Sequence, residues 1–269
     1  MHLKRWITAI IALPLLILLI GKGGAFLFAV FICLVCLISM FEYFRIVFNN
    51  TEINSKGIIP LLGILSGIGI ICAAYIKSFE IIAGLLIFNL IVAGLFSLRE
   101  FSTNNAALEI VSKQVQGVIY IPLLLSSLVL IRNGNDGVIW IFFMLLLVFV
   151  CDTGAFYAGS YLGRHKLCPA VSPGKTVEGF IGGIVFCACA GGLFKYFFLP
   201  QLNWGLSFLL FISVGVIGPV GDLFESVLKR TADIKDSGNI LPGHGGMLDR
   251  IDALIFTAPI VYLFKDYIF

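Results

Sequence analysis

Ionisable residues are what this sequence has least of. Only 12% of its 269 residues are Asp, Glu, Lys or Arg, and it holds 3 histidines. A soluble domain of this size could not hide the apolar surface of a chain that is 59% hydrophobic. The mean hydropathy of +1.05 therefore excludes an ordinary globular protein. The net charge of +3 is too small to argue for nucleic acid as a partner. Alternation in pieces of roughly ten residues, the mark of a transmembrane barrel, is missing from runs such as 6–20 and 140–150. Internal repeats and low-complexity linkers are also missing, so one integral domain is expected. Cysteine supplies no metal frame. Cys33-x-x-Cys36 has a redox or metal spacing but lies inside an apolar run, and His165-x-x-Cys168 stands without further ligands. The thiols read as small buried hydrophobes, and zinc is not expected.

What is there instead is a series of long apolar runs, at about 6–21, 24–41, 57–76, 80–98, 115–131, 138–160, 178–199, 204–228 and 251–268. Each is long enough to cross a bilayer as a helix. The expected fold is all-α, a polytopic integral membrane protein with about nine transmembrane helices. The first run follows Lys4-Arg5 like a secretory signal, but no small-x-small cleavage site follows it, so it is read as a retained helix. With nine spans, the alternate loops divide the 18 basic residues thirteen to five, the richer side holding the N-terminus. The positive-inside rule puts that side in the cytoplasm, together with the charged loops 161–177 and 229–250. The expected location is the cytoplasmic membrane, with the polar chemistry facing the cytoplasm. Residues 1–135 carry few intramembrane charges and read as scaffold and lipid contact; residues 136–269 hold the polar motifs. Glu42 and Arg45, near a helix end, read as a snorkelling pair.

Charge is concentrated in 226–252, where Lys229, Arg230, Lys235 and Arg250 mix with Asp236, Asp249, Asp252 and His244. Ionisable groups at the edge of a bilayer are expensive, so their default reading is a functional site. Just upstream, Asp222 shares a helical face with Glu225, Ser226 and Lys229. Pro242-Gly243-His244-Gly245-Gly246 forms a turn whose backbone can approach a ligand closely. Carboxylates suit a hard cation, and the basic residues suit phosphates. Two further segments belong with this one. Asp152 interrupts the sixth apolar run and is followed by Gly154, Ala155, Ala158 and Gly159, small residues that permit tight helix packing. Ser172-Pro173-Gly174-Lys175-Thr176 reads as a turn leading into a helix start, an anion site by its lysine and hydroxyls. Either hydroxyl could instead be a plain N-cap. A P-loop is excluded, because position 169 is proline where that motif needs glycine.

The spacing Ser226-x-x-Lys229-Arg230-x4-Lys235-Asp236-x-Gly238-x3-Leu241-Pro242-Gly243-His244-Gly245-Gly246-x-x-Asp249-Arg250-x-Asp252 resembles the signature of the phosphatidate cytidylyltransferases. The segment Ser172–Gly179 is similar to a second stretch of that family, with Gly174 at a position where lysine is common. The resemblance covers roughly 145–255, the N-terminal half matching only as generic membrane helices. It implies attack of the phosphate of phosphatidic acid on the α-phosphorus of CTP. Asp222 and Asp249 would then hold Mg2+, with Asp152 and Asp252 as further ligands or orienters, and a second cation could share the site. Lys175, Lys229, Arg230, Lys235 and Arg250 would neutralise phosphates, and His244 would donate to a phosphate oxygen. Ser172, Thr176, Asp236, Gly245 and Gly246 would complete the nucleotide site. The partners implied are CTP, phosphatidic acid and the lipid bilayer, and a homodimer is compatible with such an enzyme. A CTP-dependent lipid kinase moving the γ-phosphoryl group is the nearest alternative. A transporter with Asp222 and Lys229 along an ion path is a more distant one, since the polar residues gather in loops and not at mid-bilayer.

Overall fold

The computed structural model describes residues 13–49, 57–100, 107–238, 240 and 245–269. Helices dominate it: α1 (Leu13–Lys22), α2 (Gly24–Val47), α3 (Ile58–Tyr75), α4 (Phe79–Glu100), α5 (Ala107–Val118), α6 (Leu124–Asn133), α7 (Gly137–Leu162), α8 (Val177–Phe198), α9 (Trp204–Thr231) and α10 (Leu248–Leu263). A π-helical turn, Ile119–Leu123, joins α5 to α6 without a break, so these two helices fill one expected span. Pro122 lies in this turn. It has no N–H to donate, and the local shift to wider hydrogen bonding absorbs that loss. Among the described residues, seven helical segments are long and apolar enough to cross a membrane. The first expected span is described only from Leu13, and α10 reaches the end of the chain through a second π turn, Phe264–Ile268. This is a polytopic membrane protein, with helical segments at each of the nine expected positions.

Large apolar side chains on α4 and α8 lie outward, among them Leu90, Leu95, Phe186 and Leu193. In water such faces would aggregate; in hydrocarbon they are the correct surface. The inward faces pack Tyr43, Phe143, Leu147, Phe211 and Ile255 into a continuous core. Contacts at the helix ends follow the alternation of the loops. At one end Arg132 donates to the carbonyl of Ile20 at 3.2 Å and Asn133 to that of Tyr75 at 2.9 Å. At the other, Arg45 reaches Ser237 and Lys175 reaches Asp222.

The all-α expectation holds with one short exception. Lys175 and Thr176 stand immediately before a helix, as expected, but the segment leading into it is a strand and not a turn. Strands β1 (Lys166–Cys168) and β2 (Ser172–Thr176) form an antiparallel hairpin with Lys166 opposite Thr176, and α8 begins at Val177. Proline at 173 holds its own φ and keeps the preceding residue extended, which favours strand over helix there. Thr176 is the N-cap of α8, its hydroxyl accepting from the amide of Gly179 at 3.1 Å. The N-cap reading of that hydroxyl is thus realised. Glu178, in the first turn, accepts from the amides of Arg164 (3.0 Å) and His165 (3.2 Å), which ties the end of α7 to the start of α8.

Helices α7 and α8 meet along a seam of small residues, as the run after Asp152 leads one to expect. At Gly179 a Cβ would come within 2.7 Å of the carbonyl oxygen of Ala155, a backbone atom that cannot rotate away. The close approach matters because Asp152 sits on this part of α7 and Lys175 just before α8. Gly179→Val is expected to destabilise the protein by about 1–3 kcal/mol through overpacking, read as a lowered unfolding midpoint in detergent. Gly174→Ala, whose Cβ would enter open space, should leave the midpoint unchanged. Equal midpoints for all three proteins would mean that the seam has slack.

Candidate functional site

Between the hairpin and α9 lies a cavity of about 640 Å³ whose polar lining includes Asp152, Lys166, Ser172, Lys175, Thr176 and Asp222. Three separate stretches of sequence meet there. Asp152 comes from the second half of α7, the hydroxyls and lysines from the hairpin, and Asp222 from the middle of α9. Lys175 and Asp222 form an ion pair of 2.7 Å. Lys175 also lies 3.4 Å from the carbonyl oxygen of Pro219, one turn earlier on α9. Pro219 leaves the carbonyl of Gly215 without its helical donor, and the thiol of Cys151 takes that place at 3.8 Å. Apolar residues, including Phe156 and Phe180, line the same cavity. It therefore offers a charged end and an apolar wall together.

Asp222 interacts electrostatically with both Asp152 and Asp252. Asp252 receives the amide of Ala253 at 2.9 Å. Three mutually repelling carboxylates with Lys175 on one of them leave this region short of positive charge, and carboxylate is the ligand type a hard divalent cation takes. Among the described residues no three acidic, imidazole or thiol side chains form a ready-made metal cage. That is compatible with Mg2+, which is commonly held by one or two carboxylates together with substrate phosphates and water.

A second cluster continues along α9. The ammonium of Lys229 stands between two carboxylates, forming a bond of 2.7 Å to Asp249 and a close ion pair with Glu225. Side-chain exposure is 13% for Lys229, 8% for Asp249 and 0% for Glu225. The other oxygen of Asp249 accepts from the amide of Ser237 (3.0 Å), the hydroxyl of Ser237 (3.1 Å) and the amide of Gly246 (2.9 Å). Gly245 turns the chain into this arrangement with φ of +81°, where a side chain would also strike Asp249. Gly246 thus directs its amide at Asp249, within the protein.

The remaining expected site residues divide. Arg230 donates to the carbonyls of Val171 and Ile234, both at 3.3 Å, and so braces the hairpin against the end of α9. Lys235, Asp236 and Arg250 are exposed at the same end of the bundle. His244 lies outside the described residues. Ser226, on the same face of α9, donates to Asp222 at 3.4 Å. Glu42 and Arg45 are not a snorkelling pair: both reach Ser237.

Several residues of the site were not singled out from sequence. Lys166 lines the cavity opposite the end of β2, and only knowledge of the hairpin pairing places it there. Glu225 was visible on the Asp222 face, yet its full burial was not. Tyr120, in the π turn, stacks edge-on against Phe224 and Phe256. Its buried hydroxyl has no hydrogen-bond partner among the described residues. A tyrosine in an apolar run carries no signal that would have found it.

These features define a polytopic membrane protein with an acidic and basic cleft at one end of its helices, chemically suited to phosphates. The sequence model of the cytidylyltransferase family matches residues 3–268. The chain is 45% identical over 147 residues to the phosphatidate cytidylyltransferase of Bacillus subtilis (strain 168), 54% of each chain. It is 34% identical over 268 residues to that of Staphylococcus haemolyticus, and 32% over 268 residues to that of Staphylococcus aureus (strain COL), covering 96% of each chain in both cases. The chain belongs to the cytidylyltransferase family. The likeness extends well beyond 145–255, and the N-terminal helices are part of it.

Removing Lys229 would leave Glu225 and Asp249 buried without their counter-charge. Lys229→Met is expected to cost about 3–5 kcal/mol, the range for breaking a buried pair from one side. Adding Glu225→Gln and Asp249→Asn to that variant should restore part of the loss, since the charges then leave together. Unfolding of the three proteins in detergent measures both steps, and a nearly neutral Lys229→Met would mean that water reaches the pair.

Proposed function

We propose that this chain transfers CMP from CTP to phosphatidic acid, releasing pyrophosphate and forming CDP-diacylglycerol, with the cleft facing the cytoplasm. The observation that carries this reading is the cavity in which Lys175 meets Asp222, with Asp152 and Lys166 on its walls. Family membership and the relatives' printed names support the substrates. The thirteen-to-five division of basic residues supports the orientation, because both charged loops lie on the richer side.

In this reading an oxygen of the lipid phosphate forms a new bond to the α-phosphorus, while the bond to the bridging oxygen of the β-phosphate breaks. The attacking oxygen carries no proton that must be removed, so no general base is needed. Catalysis consists of alignment and charge neutralisation. Lys175 exchanges part of its contact with Asp222 for phosphate oxygens, and Lys166 approaches from the facing strand. Asp222, with Asp152 and Asp252 near it, would hold Mg2+; when bound, the ion supplies positive charge to the phosphates. Asp249 has a different part, since its oxygens are already engaged by Lys229, Ser237 and Gly246. It orients Lys229 and the amide of Gly246. Phe156 and Phe180 give the lipid an apolar wall beside the phosphates.

The test supplies purified protein with phosphatidic acid micelles, Mg2+ and CTP labelled at either the α- or the γ-phosphate. The α-label should enter the lipid extract and the γ-label should leave as pyrophosphate. Entry of the γ-label into lipid, when a lipid alcohol is supplied, would make the chain a kinase. Asp222→Asn is expected to lower turnover by about 10²–10³-fold, as loss of a group acting on developing charge does. Lys175→Ala should raise the KM for CTP by about tenfold or more, in line with one hydrogen bond to a charged group. An unchanged KM would return Lys175 to a role within the apo fold.

A further inference from the structure

The cytoplasmic end of α2 enters the signature loop. Glu42 is 1% exposed, and each of its carboxylate oxygens is engaged. Oε1 accepts from the amide of Met247 at 3.0 Å, and Oε2 from the amide of Leu248 at 2.9 Å and the hydroxyl of Ser237 at 3.0 Å. One turn on, Arg45 donates to the carbonyl of Ser237 at 2.8 Å. The loop is shaped to admit this side chain. A Cβ on Gly238 or Gly246 would collide with Glu42.

The chemistry of the clamp is specific. Met247 and Leu248 stand at the N-terminus of α10, where amides have no helical acceptor. Met247 has no side-chain oxygen to cap that end, so the cap is supplied by a carboxylate about 205 residues earlier in the chain. An anion at this end also complements the helix dipole. The hydroxyl of Ser237 lies 3.0 Å from Glu42 and 3.1 Å from Asp249 but has one proton. It joins the two carboxylates, and any shift of Glu42 is felt at Asp249 and through it at Lys229.

We propose that Glu42 is a positioning residue for the transfer reaction: it fixes Ser237 and the start of α10, so that Asp249 holds Lys229 and the amide of Gly246 in place. This role rests on the reading of the chain as a CTP:phosphatidate cytidylyltransferase. It assigns a task at the site to the N-terminal half, which the sequence suggested was scaffold.

The experiment compares wild type, Glu42→Gln and Ser237→Ala, full length and in phosphatidic acid micelles. Glu42→Gln keeps the shape but turns an NH2 group toward an amide donor. Its kcat is expected to fall by about 10²-fold, the scale for misplaced catalytic groups, beyond any fraction of protein unfolded, with the KM for CTP within about threefold of wild type. Ser237→Ala should lose kcat in the same direction by a smaller factor. Amide hydrogen exchange at Gly246, Met247 and Leu248 should accelerate in Glu42→Gln while α7 and α8 keep their protection. Wild-type kcat in both variants would overturn the proposal. So would loss of activity in Glu42→Gln merely in proportion to unfolded protein, with Ser237→Ala fully active. If Glu42→Gln does not fold, Ser237→Ala decides by the same kcat criterion. If wild type transfers no label, the functional reading fails instead, and exchange at 246–248 still decides whether Glu42 holds the loop.

Discussion

The ammonium of Lys229, held between Glu225 and Asp249, sets the terms for everything near it. A buried charge must bring its counter-charge and fill its remaining hydrogen-bonding positions, or the interior excludes it. One ammonium serves two carboxylates here, and they are treated differently. Asp249 is also met by the amides of Ser237 and Gly246, whereas Glu225, among the described residues, has Lys229 as its only counter-charge. A third buried carboxylate nearby, Glu42, is met by the first amides of α10 and by the Ser237 hydroxyl. Hydrogen bonds to ionised groups are about twice as strong as neutral ones. A short polar loop of low apolar content is therefore held against the bundle by charge.

The cavity depends on a second constraint, close approach of backbones. The small residues of α7 and α8 bring the two helices together until a side chain on Gly179 would meet the backbone of Ala155. The hairpin that precedes α8 is anchored at that seam by the Thr176 cap and by Glu178. Lys175 is then carried to α9, where it meets Asp222 and the carbonyl of Pro219. Asp152 and Asp222 face one cavity because α7 is held against α8, and the hairpin before α8 carries Lys175 across to Asp222 on α9.

Much of this was legible in the sequence, for identifiable reasons. Hydrocarbon demands runs of about twenty apolar residues, and such runs are unmistakable, so the positions of the helices could be read directly. The expense of charge at a bilayer edge pointed equally well to Asp152, Lys175, Asp222, Lys229 and Asp249. What sequence could not supply were relations between distant segments. Lys166 opposite Thr176 depends on a strand pairing that two short polar stretches do not announce. Glu42 and Arg45 looked like a local pair because they are three residues apart, yet both point at a serine nearly two hundred residues away. That the hydroxyl of Thr176 caps α8 is visible only in its contact with the amide of Gly179.

The same geometry separates the two aspartates that sequence treated alike. Asp249 is complete without any ligand: both oxygens are engaged by protein donors, and its side chain is 8% exposed. Asp222 is incomplete. It borders the cavity, shares one lysine, and repels two other carboxylates. An enzyme handling highly charged phosphates needs both conditions at once. The finished carboxylate gives rigidity, which holds cationic groups in position before substrate arrives. The unfinished one leaves an electrostatic deficit that a cation and its phosphates can fill. The face of α9 that carries Asp222, Glu225 and Lys229 then joins the two functions, since a rotation of that helix would open the cavity pair and the buried clamp together.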